Sequence, residues 1–303
     1  MNMHSSMRLF PWVCLLALTA ISMGGNLCAQ PPCTYSLFKY PGTTITTTTA
    51  NGVNKYNTIV GTAQDQTGTV FGFIRYSNGS FKRYAVPGAY NTQFFHRSDS
   101  GATVGFYQSG SGPKHGLLLS GITLTTIDYP GATGTVLTGI NRWGTIVGYY
   151  TDSTGHLKGF KRYSNGGFSA VSIPNHANII PMDINDSGVI AGILGTGGPT
   201  GIHGFLAWRN NWVILDDPAY PSGSTGLNGI GNGGSSVGEA FDSNGTGHAI
   251  WLFGTSNYFN LAVPGAVESV AGGIFSSTTT GNVIVGGATI SGGGDQAFVA
   301  NCQ

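Results

Sequence analysis

Through residues 137–173 the chain runs in short stretches of alternating apolar and polar side chains, cut by glycine, asparagine and aspartate. Four stretches, 137–141, 145–151, 157–163 and 168–173, are rich in β-branched and aromatic residues, which suit a pleated, half-buried surface. Strands joined by gaps this short must be antiparallel neighbours, because a parallel pair needs a connection of about a dozen residues or more. The pattern therefore predicts a four-stranded meander, strands a to d.

The meander recurs. A proline marks the end of strand d at Pro41, Pro87, Pro130, Pro174, Pro218 and Pro264, at spacings of 46, 43, 44, 44 and 46 residues. Six residues before each proline is a large apolar side chain: Tyr35, Phe81, Leu124, Phe168, Trp212 or Tyr258. A second ladder is a strand b glycine, at Gly61, Gly105, Gly148, Gly192, Gly238 and Gly286. A third is a strand c aromatic, at Tyr76, Tyr163, Trp208 and Phe253. Periods of about 40–50 residues with four strands each are those of propeller blades. The chain ends complement one another, since the last repeat offers one strand after Gly286, at 297–301, while residues 34–40 form a lone strand d. The expectation is an all-β, six-bladed β-propeller of four-stranded antiparallel blades, its last blade closed by the N-terminal strand, as a single domain over 30–303.

Composition narrows the partners. Charged residues are 8% of the chain, Gly is 50 of 303 residues and formal net charge is +1, against roughly 25% charged residues in ordinary proteins. Solubility falls to Ser, Thr and Asn, and no field is built to steer nucleic acid or an anionic membrane. Residues 1–29 have the form of a cleaved export signal, with Arg8, an apolar run over 9–23 and the small Ala29 at the cut. The run is shorter than the roughly 20 residues a membrane span needs. The expectation is a secreted, periplasmic or cell-surface monomer without membrane insertion. Cleavage leaves Cys33 and Cys302, in a compartment where disulfides persist. In the repeat alignment both fall where other blades have their c–d turn, a connection the closing blade lacks, so a Cys33–Cys302 bond is expected to lock the ring.

Gly139-Ile140-Asn141 with Ile146-Val147-Gly148, the segment Thr125-Thr126-Ile127-Asp128-Tyr129-Pro130-Gly131-Ala132, and the His-Gly or His-Ala pairs at His115, His203 and His248 resemble the bacterial extracellular repeat proteins of the HAF family. The resemblance covers nearly all of the mature chain, although Phe71, Lys158 and Gln296 replace the histidine in three repeats. It implies an exported, propeller-like protein, and no established reaction or catalytic residues to carry over.

Familiar motifs dissolve on inspection. Gly229, Gly231 and Gly234 fit the dinucleotide fingerprint G-x-G-x-x-G, but the following SSVGEAF is a strand where a phosphate-binding helix is required. Ser236, in a G-x-S-x-G match, falls inside strand b and not on a strand-to-helix elbow. Asp65, Asp152 and Asp242 head D-x-x-G turns, where aspartate caps its own backbone. No metal-ligand spacing is present and no cofactor is expected. Histidines recurring once per blade cannot converge on one substrate atom, so they are read as tying strand c to a neighbouring loop.

Residues that break the repeat are the better site candidates. Where other repeats have Gly-Ile or Gly-Val in the channel-lining strand a, the second has His96-Arg97 and the fourth Asp183-Ile184. Strand alternation puts the d–a and b–c connections on one face of the ring. Its longest loops, 193–203 and 218–226, bring His203, Asp217 and Tyr220 to one neighbourhood, with Glu268 on the same face. Scarce charge and abundant Ser, Thr, Asn and Tyr point to a non-catalytic propeller binding a neutral ligand, glycan or peptide. The alternatives are a glycan-cleaving enzyme using rim carboxylates drawn from Asp128, Asp183, Asp216, Asp217, Glu239 and Glu268, and a passive cell-surface scaffold.

Overall fold

The computed structural model describes residues 32–195, 201–220, 224–277 and 281–303; the segment 1–29, read above as an export signal, lies outside them. The described residues form 24 strands. Among them no helix is long and apolar enough to cross a membrane. The first blade is β2 (Ile45–Val53), β3 (Ile59–Asp65), β4 (Val70–Arg75) and β5 (Phe81–Tyr84). The second is β6 (Asn91–Arg97), β7 (Thr103–Gln108), β8 (Lys114–Ser120) and β9 (Thr123–Thr126). The third comprises β10 (Gly134–Ile140), β11 (Ile146–Thr151), β12 (Leu157–Arg162) and β13 (Phe168–Val171), and the fourth β14 (Ile179–Ile184), β15 (Ile190–Leu194), β16 (His203–Trp208) and β17 (Asn211–Leu215). The fifth is β18 (Thr225–Ile230), β19 (Ser235–Phe241), β20 (Gly247–Phe253) and β21 (Asn257–Asn260). The sixth takes β22 (Ala266–Ser277), β23 (Gly281–Ile290) and β24 (Gly294–Cys302) from the C-terminus and β1 (Cys33–Phe38) from the N-terminus, in the order β1-β24-β23-β22. The protein is a six-bladed β-propeller of antiparallel four-stranded blades.

Each ladder has a physical cause. The strand d prolines lie three or four residues beyond the strands and not at their ends. All but Pro41 occupy the second position of a hydrogen-bonded turn such as Val86–Ala89, closed by Ala89 N–H donating to Val86 O at 3.0 Å, with Gly88 third at φ 79°; Pro218 alone of these is followed by a residue without positive φ, Ala219. Proline followed by a residue of positive φ is the requirement of a type II turn, and Asn175 meets it after Pro174 at φ 67°. The strand b glycines face a bulge in strand a. Every strand a inserts one residue opposite this glycine, between pairs such as Leu137/Gly139 and Pro181/Asp183, with a second insertion near the start of β2 and β22, and a Cβ on Gly148 or Gly192 would collide with the carbonyl of Val136 or Ile180.

The core sits between blades. Phe73 and Ala50 of the first blade pack with Val285 and Ala297 of the sixth, and Ile74 packs with Phe94 of the second. Phe71, Phe73, Phe94, Phe160, Phe205 and Phe298 are fully buried, each contributing about 1.5–3 kcal/mol relative to exposure. A polar belt joins the a–b turns. The Asn54 amide donates to Ser98 O at 3.2 Å, Asn141 to Asn185 O at 3.2 Å and Asn185 to Gly231 O at 3.3 Å.

The ring closes where the sequence places the lock. Cys33 and Cys302 are direct cross-strand partners, bonded at a Cα separation of 4.1 Å. Because the bond spans 269 residues, the chain-entropy treatment puts its stabilisation on the order of 5 kcal/mol, an upper figure. Cys302→Ser should lower Tm and free β1 first. Alkylation of the folded protein without reductant, followed by intact mass, should add no label; two labelled cysteines would refute the lock.

Candidate functional site

Three spaces are candidates: two along the axis and one in the wall. The six residues inserted by the strand a bulges, Asn51, Phe95, Thr138, Met182, Asn228 and Gly272, ring an axial well of about 150 Å³. Those of the odd blades reach the next blade's backbone. Asn51 donates to Phe94 O at 2.8 Å, Thr138 to Pro181 O at 2.7 Å and Asn228 to Ala271 O at 3.2 Å. The even blades place Phe, Met and Gly there, so the ring alternates with pseudo-threefold symmetry.

His96 and Asp183 stand beside this well, and the structure brings them together. His96 Nδ1 is 3.0 Å from Ile140 O and 3.6 Å from Asp183 Oδ1. Asp183 is buried, accepting Ile184 N–H at 2.8 Å and Ile230 N–H at 3.0 Å. Burial pushes its carboxyl above the usual range, against the opposing pull of His96 and the two amides. Arg97 lines a space of about 40 Å³ at the a–b mouth and donates to Thr103 Oγ1 at 2.7 Å. These groups serve the ring's own hydrogen bonding.

His203, Asp217, Tyr220 and Glu268 lie on the d–a and b–c face. The long loops there include residues 196–200 and 221–223, which are outside the described residues. The polar groups that are described bind one another. Tyr220 Oη accepts from Asn260 Nδ2 at 2.7 Å, and its ring stacks on His248 at 5.2 Å. Asp217 is buried and accepts Ala219 N–H at 2.9 Å. His203 meets Asp216 at 2.9 Å, His115 meets Asp128 at 2.7 Å and His248 meets Asp242 at 3.3 Å. The repeated histidines thus fasten the start of strand c, His203 and His115 to an aspartate one or two residues beyond strand d and His248 to the b–c turn. Among the described residues no three His, Cys, Asp or Glu side chains gather as metal ligands. Glu239 sits near Glu268, where burial first and the neighbouring negative charge second push its carboxyl up to about 7, against a hydrogen bond from Asn228.

The wall space is larger. Between the third and fourth blades a groove of about 470 Å³ opens, lined by Lys161, Val171 and Ile173 on one side and Ala207, Trp208, Arg209 and Trp212 on the other. Ligand pockets span roughly 300–1,000 Å³. Strand register shows why the gap exists here. The strand c residue paired with the apolar residue six before the proline is Arg75, Leu119, Arg162, Ala207, Leu252 or Ala300. In the first and third blades this arginine covers the aromatic, with Arg75 5.9 Å from the Phe81 ring and Arg162 5.9 Å from that of Phe168. Ala207 covers nothing, and Trp212 is left 42% exposed beside Trp208 at 39%. In the sixth blade Ala300 is buried, in a cluster that Trp251 and Phe259 fill. On the facing wall the corresponding residues are Ile74, Leu118, Lys161, Leu206, Trp251 and Val299, and Lys161 alone among them is charged. The sequence reading took Trp212 and Trp208 as rungs of a ladder and missed the groove, whose signal is Ala207 and Lys161 departing from their columns.

No protein-family model and no curated protein matches the sequence. Solved structures similar to the chain include AofleA from Arthrobotrys oligospora, at 12% identity and TM-score 0.56 over 86% of this chain and 84% of that one. TolB from Acinetobacter baumannii aligns at 14% identity and TM-score 0.52, over 71% of this chain and 53% of that one. A protein of unknown function from Dyadobacter fermentans aligns at 10% identity and TM-score 0.51, over 89% and 98%. At these identities the likeness is one of fold.

The raised Glu239 carboxyl makes stability pH-dependent. A carboxyl with pKa about 7 when folded and about 4.3 when unfolded favours folding while protonated, and that advantage is lost as pH rises through this window, by no more than about 4 kcal/mol. Chemical denaturation at pH 5 and pH 8 should show Glu239→Gln more stable than wild type at pH 8 and level with it at pH 5. An equal effect at both pH values would contradict the shift.

Proposed function

We propose that this chain is an exported, non-catalytic β-propeller that binds a glycan in the groove between its third and fourth blades. The observation that carries the proposal is the exposed indole of Trp212, cross-strand from Ala207, in a groove of ligand size whose lining includes Trp208, Asn210 and Asn211. Indole faces stack on the apolar face of a sugar ring, and amides exchange hydrogen bonds with its hydroxyls, which suits recognition with little reliance on charge. The Cys33–Cys302 bond fits an oxidising compartment, in keeping with the export signal read at 1–29 and the HAF-like repeats.

A glycan-cleaving reading rests on Glu239 and Glu268, a carboxyl held up to about 7 near a second acid. These acids lie on the fifth and sixth blades, away from the groove, and Glu239 is tied to Asn228.

Tryptophan fluorescence titration with oligosaccharides selected on a glycan array tests the placement. Trp212→Ala should weaken binding about tenfold or more, as for a buried aromatic anchor. Ala207→Arg should close the groove as Arg75 and Arg162 do in their blades, abolishing binding while leaving Tm unchanged. Unaltered affinity in both variants would overturn the site, and reducing-sugar release that disappears in Glu239→Gln would favour the enzyme.

A further inference from the structure

We infer that the sugar taken by this groove carries a carboxylate, so that its ligand is a uronic-acid-containing polysaccharide. The inference rests on the glycan reading of the same groove. The groove's lining includes two ionisable side chains, Lys161 and Arg209, both cationic, one on each wall. Among the described residues neither forms an ion pair, whereas Lys55 and Arg142 on the a–b face meet Asp99 at 3.8 Å and Asp186 at 3.7 Å. The Lys161 ammonium lies 5.1 Å from the Tyr163 ring and is hydrogen-bonded to that tyrosine's phenol, with no carboxylate beside it among the described residues.

Both positions go against what the fold would choose. Lys161 stands in a wall column otherwise filled by Ile74, Leu118, Leu206, Trp251 and Val299. Arg209 begins a two-residue hairpin turn at φ 54°, a left-handed conformation, and in the equivalent turn of the second blade Gly121 holds that place at φ 61°. A side chain held in the left-handed region stores strain that collects at functional positions. Two cations without carboxylate partners, on opposite walls of one groove, attract an anionic group, and the guanidinium fork matches a carboxylate's two oxygens. Stacking on Trp212 would hold the ring while Lys161 and Arg209 hold its acid.

The test titrates the disulfide-bonded protein with tetragalacturonate, neutral galactotetraose and a sulfated heparin tetrasaccharide in low and high salt, reading tryptophan fluorescence. Tetragalacturonate should bind roughly tenfold more tightly than galactotetraose, the margin shrinking as salt screens the contact. Lys161→Ala and Arg209→Gly should each remove most of that margin by weakening tetragalacturonate far more than galactotetraose. Arg209→Gly should also hold or raise Tm, which separates lost recognition from lost folding. Equal affinity for the acidic and neutral sugars would overturn the carboxylate and leave the glycan reading standing. Preference for the heparin tetrasaccharide, or galacturonate binding that survives Trp212→Ala, would overturn it too. Failure of all three sugars to bind would overturn both readings.

Discussion

Each blade buries one face on its predecessor and the other on its successor, so the propeller depends on a single pairing, that of β1 with β24. Phe38 and Tyr40 arrive with β1 and pack among Phe71, Phe73 and Phe81 of the first blade. Separating β1 from β24 would uncover those aromatics, at about 1.5–3 kcal/mol for each side chain returned to water. The six register pairs from Cys33↔Cys302 to Phe38↔Ala297 therefore secure two interfaces, within the closing blade and beyond it. The disulfide stands at the far end of that ladder, where the strands would otherwise fray.

The second constraint is radial. Six innermost strands crowd a common axis, and the bulge in each strand a turns one residue toward it while bringing a strand a carbonyl against strand b. That is why strand b has glycine in every blade, a regularity visible in the sequence before its cause was. The repeat spacing, the strand order and the disulfide were all legible, because a repeated unit states its local pattern six times and chance cannot imitate it. The alternation of odd and even blades was not legible. Asn51, Thr138 and Asn228 share no residue type throughout, and what unites them is a hydrogen bond to the neighbouring blade's backbone, which only coordinates show.

The candidate site was half legible. Departures from symmetry were the right place to look, and His96 and Asp183 do meet near the axis. Their polar atoms are taken by Ile140, Ile184 and Ile230, so that departure is a substitute for glycine packing and not an open site. Asp217 and Tyr220 were placed together correctly, yet Ala219 and Asn260 occupy them. The groove was hidden because its defining residue is a small one. Ala207 is unremarkable in a strand, and its meaning appears only against Arg75 and Arg162 in the same register.

This geometry explains how a repeat protein acquires a specific site. Residues repeated around a ring converge only on the axis, where the well is about 150 Å³ and its Asn and Thr side chains already link blades. Ligand-sized space must come from the wall, by thinning one interface. Removing side-chain volume there sacrifices burial, and in an open sheet sandwich the two layers would close over the gap. In a closed ring they cannot. The third and fourth blades are held at their spacing by the Asn141–Asn185 and Arg142–Asp186 contacts at the a–b turns and by the other interfaces around the circle. A cavity opened by Ala207 therefore stays open, walled by strands of a closed ring, with the exposed indole of Trp212 on its fourth-blade side.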